Sequence, residues 1–292
     1  MKKTLIIGCG FLGNQIFTKL KKNNFDVVGT NFEKISKKYR KLDITNWDQV
    51  NECIIDENPD LIINCAANTN LDMLEKNQDL ANSINGYGAE NIADVCKSTS
   101  SRLIQISTDA VFDGMLGMYK ENDNPNPINI YGKSKLLGEK LVKNKLKNFI
   151  ILRTNMFGYD QNERFLFNWI LKNLKENKQI TGFNDVIFNP LEITILSEYI
   201  IKLGNMKNTG ILHLGSDEIF SKFDLCSKIA DIFDLDKNLI KKGSIEDMKF
   251  VAKRPKNTSL SNMKAKKILK IQIPTLNEEI MKIKQVYEDK KN

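Results

Sequence analysis

Thr4-Leu5-Ile6-Ile7-Gly8-Cys9-Gly10-Phe11-Leu12-Gly13 holds a short apolar run, a G-x-G-x-x-G pattern and the opening of an amphipathic segment. The order gives the pattern its meaning. Glycines that end an apolar strand and open a helix are the context in which this spacing signifies dinucleotide binding. Gly8 allows the tight turn, Gly10 lets the backbone approach a pyrophosphate, and Gly13 lets the helix pack closely on the strand. The helix start adds free N–H donors and a partial positive charge. Phe11 and Leu12 lie in the same loop and join the expected cofactor contacts.

Outward from this loop, strand-like and helix-like segments alternate. Residues 11–22 have helical spacing, 26–30 are strand-like, 47–55 helical, 60–66 strand-like, 87–97 helical, 102–107 a strand, 131–145 a helix and 149–153 a strand. Short apolar strands separated by helices predict a parallel sheet covered on both faces. Right-handed crossovers make it an α/β, doubly wound (Rossmann) sheet. The second half is less regular, with helices expected over 165–174, 193–203, 222–233 and 276–287 and a strand over 211–214. The expected division is a dinucleotide-binding domain over 1–155, rejoined by about 184–215. A smaller α/β substrate-binding lobe takes 156–183 and 216–292.

Composition narrows the chemistry. The 292 residues include one His, which excludes a His-rich metal cluster or paired catalytic histidines. That residue, His213, lies in an apolar strand and reads as structural. Five scattered Cys without C-x-x-C spacing read as reduced thiols, with no disulfide frame and no metal site. The net charge of +8 is spread along the chain with no basic block, so no nucleic-acid partner is expected. The apolar run after Met1-Lys2-Lys3 is too short for a signal core, and no stretch approaches a membrane span. A soluble, cytoplasmic protein is the expectation.

The dinucleotide's identity turns on the end of the second strand. An NAD site places an acid there to hold the ribose hydroxyls. Here the strand ends Gly29-Thr30-Asn31, Glu33 comes late, and Lys34, Lys37 and Lys38 follow. Thr30 and Asn31 can bond a 2′-phosphate that a Lys neutralises. NADP(H) is therefore preferred, with NAD(H) as the alternative.

Tyr131 and Lys135 form Y-x-x-x-K, a pattern that Tyr287 and Lys291 repeat in the tail. Position separates the two. Tyr131 opens a helix after a loop containing Pro125 and Pro127, and Ser107-Thr108 ends the fourth strand. Ligands of doubly wound sheets sit beyond the strand C-termini, so the glycine loop and this strand end face one crevice. At i and i+4 Lys135 neighbours Tyr131, and its ammonium is expected to lower the Tyr pKa toward working pH. Tyr131 then gives a proton to a carbonyl oxygen as hydride arrives, while Thr108 or Ser107 hydrogen-bonds that oxygen.

These residues resemble the extended short-chain dehydrogenase/reductase family, in its dTDP-4-dehydrorhamnose reductase branch. Ser107-Thr108-Asp109-Ala110-Val111-Phe112-Asp113-Gly114 is similar to S-T-D-Y-V-F-D-G. Tyr119 to Glu121, Asn126-Pro127, Tyr131-Gly132-Lys133-Ser134-Lys135 and Gly138-Glu139 follow in the same order, and Arg153-Thr154 closes the fifth strand. Asn184-Asp185 with Pro190, and Arg254-Pro255 with Leu260, look like the family's substrate-side signatures. The resemblance implies a catalytic trio of Thr108, Tyr131 and Lys135. It adds Asp43, Ile44, Cys65, Ala66, Ala67, Asn85 and Ser107 to the cofactor contacts. Thr108, Asp109, Val111, Phe112, Asn155, Met156 and Arg254 fall on the substrate side, with Arg254 facing a diphosphate.

The implied activity is NADPH-dependent reduction of a 4-keto nucleotide-linked deoxysugar. The alternatives are a sugar-nucleotide epimerase with tightly held NAD and the NADP-binding regulatory subunit of a methionine adenosyltransferase. A helix-pair homodimer is common among such relatives. Ala110 replaces the usual Tyr, Met156 stands where an aromatic is frequent, and D-x-x-G-x-P-T becomes Asp185 to Leu191. All three departures are expected where sugar or base packs.

Overall fold

The computed structural model describes residues 3–33, 38–160 and 165–289. Seven strands form one parallel sheet: β1 (Thr4–Ile7), β2 (Val27–Asn31), β3 (Arg40–Lys41), β4 (Leu61–Asn64), β5 (Arg102–Thr108), β6 (Phe149–Thr154) and, from the second half, β11 (Gly210–Leu214). The remaining strands are short pairs: β7 (Met156–Phe157), β8 (Ile180–Phe183), β9 (Ile187–Phe188), β10 (Leu191–Glu192), β12 (Phe220–Ser221) and β13 (Ile240–Gly243). The sheet order is β11-β6-β5-β4-β1-β2-β3. Chain order reverses between β1 and β4, and this switch point opens a crevice at the strand C-termini. All residues of β1, β4, β5 and β6 are buried, as expected of strands covered on both faces.

The helices are α1 (Phe11–Lys22), α2 (Trp47–Glu57), α3 (Leu71–Glu75), α4 (Gln78–Ala81), α5 (Gly88–Thr99), α6 (Ile130–Lys145), α7 (Leu166–Lys175), α8 (Ile193–Gly204), α9 (Lys222–Ile232), α10 (Met263–Leu269) and α11 (Leu276–Asp289). One face of the sheet buries Ile16 and Leu20 of α1 with Leu196 and Ile200 of α8. The other buries Val50 and Ile54 of α2 with Ile92 and Val95 of α5. A separate core joins Phe167 and Ile170 of α7, Leu225 and Ile229 of α9, and Ile280 and Ile283 of α11. Among the described residues no helix is long and apolar enough to cross a membrane.

Two differences from the expected organisation have physical causes. Helix α10, expected in the smaller lobe, packs Ala265 and Leu269 into the first sheet core. Residues 71–86, for which the sequence predicts no element, fold into α3, α4 and most of a wide helical turn (Asn82–Tyr87). Those helices are too short to show periodicity and are started by side-chain caps, Asn70 to the Met73 N–H and Asn77 to the Leu80 N–H.

Candidate active site

The three loop glycines play separate roles. Gly8 has φ +85°, a left-handed conformation that favours glycine, and any side chain there would run into Ala66. A Cβ on Gly13 would lie 2.2 Å from the Gly8 carbonyl oxygen, so its absence lets α1 press onto the turn. A Cβ on Gly10 would meet nothing within 4 Å. Open space over Gly10, at the head of a helix whose first turn has no acid, suits a pyrophosphate.

Facing this loop is a cavity of about 640 Å³, within the usual range for small-molecule sites. Gly10, Phe11 and Leu12 form one wall and Cys65 and Ala67 another. Ser107, Thr108, Asp109, Tyr131 and Lys135 line its floor. Asn155, Met156 and Arg254 complete the sequence-expected residues that reach it.

Helix α6 delivers Tyr131 and Lys135. The Asn129 side chain caps it by accepting from the Gly132 N–H at 2.8 Å, and Glu75 accepts from the Ile130 N–H at 2.9 Å. Tyr131 and Thr108 line the cavity together, and Thr108 donates to Asp109 Oδ1 at 3.1 Å. Asp109 Oδ2 accepts from Asn155 at 2.7 Å and from Thr258 at 2.6 Å. Burial pushes the Asp109 carboxyl up, against the pull of these three donors.

The electrostatics correct one expectation. Burial pushes Tyr131 up to about 12, opposed by the neighbouring Thr108 hydroxyl and assisted by the Asp109 charge. Lys135 does not lower it. The Lys135 ammonium donates to the Ile106 carbonyl at 2.7 Å, and burial lowers its own pKa to about 8, against the charges of Glu139 and Cys65. The i,i+4 spacing makes the two residues neighbours on the helix without aiming the ammonium at the phenol.

Several expected contacts lie elsewhere. Val111 and Phe112 are fully buried in a cluster with Tyr119 and Leu260, not on the cavity. Phe112 stacks on Tyr119 with ring centroids 4.1 Å apart, so the apolar V-F pair is core. Ile44 is buried in the sheet core, and Asp43 spends its carboxylate on the Thr45 N–H and hydroxyl. Asn85 is buried, bonding Asn68 on both its N–H and carbonyl and donating to Ser134. It fixes the loop after β4 that carries Cys65 and Ala67. Ser107 reaches the cavity, but its hydroxyl donates to Glu139.

Gly8, Gly13 and Ala66 shape the glycine loop from behind. Thr30 and Asn31 lie at the end of β2, outside this cavity, and Asn31 Oδ1 accepts from the Phe32 N–H at 3.0 Å. Lys34 and Lys37 fall outside the described residues. Lys38 bonds Asn14 at 3.1 Å. The Y-x-x-x-K repeat in the tail is not at the site: Tyr287 packs edge-on against Phe233 and Tyr159, and Lys291 lies outside the described residues. Of the three departures, Ala110 lines the cavity with Met156, as do Val186 and Phe188, whereas Leu191 is fully buried in the sheet core.

His213 is structural. Its Nε2 accepts from Arg153 Nη1 at 3.3 Å, so the proton sits on Nδ1, which donates to the Tyr119 carbonyl at 2.9 Å. Burial lowers its pKa to about 4. Arg153 pairs with Glu139 beneath the floor, both almost wholly buried.

Several cavity residues were not among the expected site residues. Thr258 stands between the Arg254-Pro255 pair and Leu260 without being singled out there, and Lys222 is distant in sequence from every motif. Phe165 stacks on Phe11 at 4.1 Å between centroids, joining the glycine loop to the start of α7.

Comparison with known proteins agrees with this architecture. Residues 1–288 match the family described as RmlD substrate binding domain. The Bacillus anthracis dTDP-4-dehydrorhamnose reductase, solved in complex with NADP, is 31% identical with a TM-score of 0.89, over 97% of this chain and 99% of that one. The Haloferax volcanii protein named as a low-salt glycan biosynthesis reductase, Agl14, is 29% identical over 96% of each chain. The Bos taurus methionine adenosyltransferase 2 subunit beta is also 29% identical, over 89% of this chain and 80% of its own length.

Proposed function

The chain belongs to the RmlD substrate binding domain family, and on that premise we propose that it reduces the 4-keto group of a nucleotide-linked deoxysugar with NADPH. By family and fold it is an NAD(P)-dependent oxidoreductase. The observation that carries the finer reading is the meeting of Tyr131, Thr108 and the open Gly10 loop on one cavity.

The residues fit a dinucleotide. Gly10 leaves the cradle clear, the α1 N-terminus supplies N–H donors, and β2 ends in Asn31 where an NAD site carries an acid. Bound NADPH supplies the hydride. The rest falls to the chain. Tyr131 keeps its proton at neutral pH because burial raises its pKa to about 12. It is therefore armed as an acid toward a substrate oxygen that gains negative charge. Thr108 stands beside it to hydrogen-bond the same oxygen. Lys135, tied to the Ile106 carbonyl, places a buried positive charge below the reaction centre. Asp109 holds Asn155 and Thr258 in place on the sugar side.

A second reading rests on the methionine adenosyltransferase relative: the chain binds NADP(H) and serves a partner enzyme without turnover. The complete trio of Thr108, Tyr131 and Lys135 favours the reductase. The test is NADPH oxidation by the purified protein on addition of a nucleotide-linked 4-keto-6-deoxyhexose such as dTDP-4-keto-6-deoxymannose. A reductase consumes one NADPH per sugar. A chain that binds NADPH but never consumes it is the regulatory module, and one that purifies with bound NAD and needs none added is an epimerase.

A further inference from the structure

Tyr131, Lys135 and Glu139 follow one another at four-residue intervals on α6, so they lie along one face of the helix. The first two line the cavity. Glu139 lies a turn further on, almost wholly buried beneath the cavity floor.

Its carboxylate is a brace. Oε1 accepts from the Ser107 hydroxyl of β5 and from Arg153 Nε at 3.0 Å, and Oε2 accepts from Arg153 Nη2 at 2.6 Å. Ser107 stands between the two residues of β5 that serve the site. Before it, the Ile106 carbonyl takes the Lys135 ammonium at 2.7 Å. After it, Thr108 lines the cavity with Tyr131. One carboxylate on α6 therefore grips β5 where a slip would disturb both neighbours. Arg153, from β6, is held in turn by His213 Nε2 at 3.3 Å and by the Phe112 ring.

The same carboxylate acts on the charge of Lys135. Burial disfavours the ammonium, and the Glu139 charge opposes that loss across one turn of a buried, weakly screened helix. The other groups around Lys135 supply no anion. Burial pushes the Cys65 thiol, on the loop after β4, far up and keeps its proton on. Tyr131, one turn earlier on α6, also keeps its proton. Behind Glu139, Arg153 is positive and the buried His213 ring is neutral.

We infer that Glu139 is the residue that positions Lys135: braced between Ser107 and Arg153, it holds the side chain as an ammonium and keeps α6 in register with β5. The inference rests on the reductase reading for its kinetic arm alone.

The test follows Lys135 by NMR in the full chain, carrying 13C-labelled lysine and saturated with NADPH, with Lys135→Met used only to identify the signal. The wild-type ammonium should titrate near 8. Glu139→Gln should lower that midpoint by about one pH unit, and Glu139→Asp, which keeps the charge, should hold it near the wild type. For reduction, Glu139→Gln should cut kcat/KM about fivefold at pH 8 and less than about twofold at pH 6.5, and Glu139→Asp should recover the alkaline limb. Damage that is only structural lowers the rate alike at both pH values. If Glu139→Gln does not fold, Glu139→Gln with Arg153→Met leaves no buried charge unpaired. Its midpoint should still fall, by a smaller amount, because the charge one helical turn away outweighs the one on β6.

A midpoint within about 0.2 of a pH unit of the wild type, in the variant that folds, overturns the inference. So does a rate loss of the same size at both pH values. A lowered midpoint in a protein that never oxidises NADPH would leave the inference standing and defeat the reductase reading. Turnover with an unmoved midpoint would do the reverse.

Discussion

Gly132 lies directly beneath Ala110: a Cβ on the glycine would stand 2.2 Å from the Ala110 carbonyl oxygen. That approach lets the first turn of α6 sit against the end of β5 and brings Tyr131 to Thr108. Gly132→Ala must push two backbones apart. Overpacking of this kind costs about 1–3 kcal/mol. The melting temperature should fall accordingly, and kcat should fall by more than about tenfold because small displacements at a reacting centre are costly. NADPH affinity should change little. Stability and kcat both near wild type would show that the contact does not position the phenol.

Lys135 sets an upper pH limit. Burial brings its pKa down to about 8, so the ammonium is present below that value and is lost above it. Tyr131, near 12, holds its proton throughout. The kcat/KM for reduction, measured as a pH profile, should be level from neutrality to just under 8 and then decline. A rate that rises with pH across this range would mean that the phenolate or a neutral Lys135 is the working form.

Glu279 makes stability depend on pH. It is fully buried at the base of α11, accepting from the Glu192 N–H at 3.2 Å, while its other oxygen has no partner. Burial, with the charges of Glu192 and Glu218, raises its pKa to about 8. The folded state therefore holds this proton more tightly than the unfolded chain, whose Glu titrates near 4.3. The contribution is fully present below the unfolded value and is lost as pH rises through about 8. Denaturation from pH 6 to 9 should show a decline of about 2 kcal/mol that Glu279→Gln flattens. Identical slopes for the two proteins would contradict the assignment.

Glu139 and Arg153 are each almost wholly buried and pair at 2.6 Å. Glu139→Gln strips the charge partner from a buried guanidinium. Removing one member of such a pair costs about 3–5 kcal/mol. Urea denaturation should record a loss on that scale. A change under about 1 kcal/mol would mean that His213 and the Phe112 ring, 5.2 Å from the guanidinium, suffice to hold it.

The parallel sheet was readable because β1, β4, β5 and β6 are continuous apolar runs, and the Gly8–Gly13 loop was readable because each glycine answers a separate steric demand. That Thr108, Tyr131 and Lys135 line one cavity was readable from position, because the end of β5 and the start of α6 face the same crevice. Val111 and Phe112 misled because an apolar motif looks the same whether it lines a pocket or packs beneath it. Asn85 misled because its hydrogen bonds hold a loop rather than touch the cavity. Lys222 and Phe165 were silent, because the topology brings them to the cavity from the start of α9 and from just before α7 and no local pattern marks them, while Thr258 lay unnoticed inside the Arg254–Leu260 stretch. The Tyr131 pKa ran opposite to expectation because helical spacing cannot tell where an ammonium points.

The most direct measurement follows deuterium from labelled NADPH into the sugar, for the wild type and for Tyr131→Phe. The wild type should place deuterium at the carbon of the reduced keto group. Tyr131→Phe should bind NADPH with similar affinity and transfer label about 10³-fold more slowly or worse, since the general acid is gone. Wild-type transfer rates in Tyr131→Phe would contradict the account.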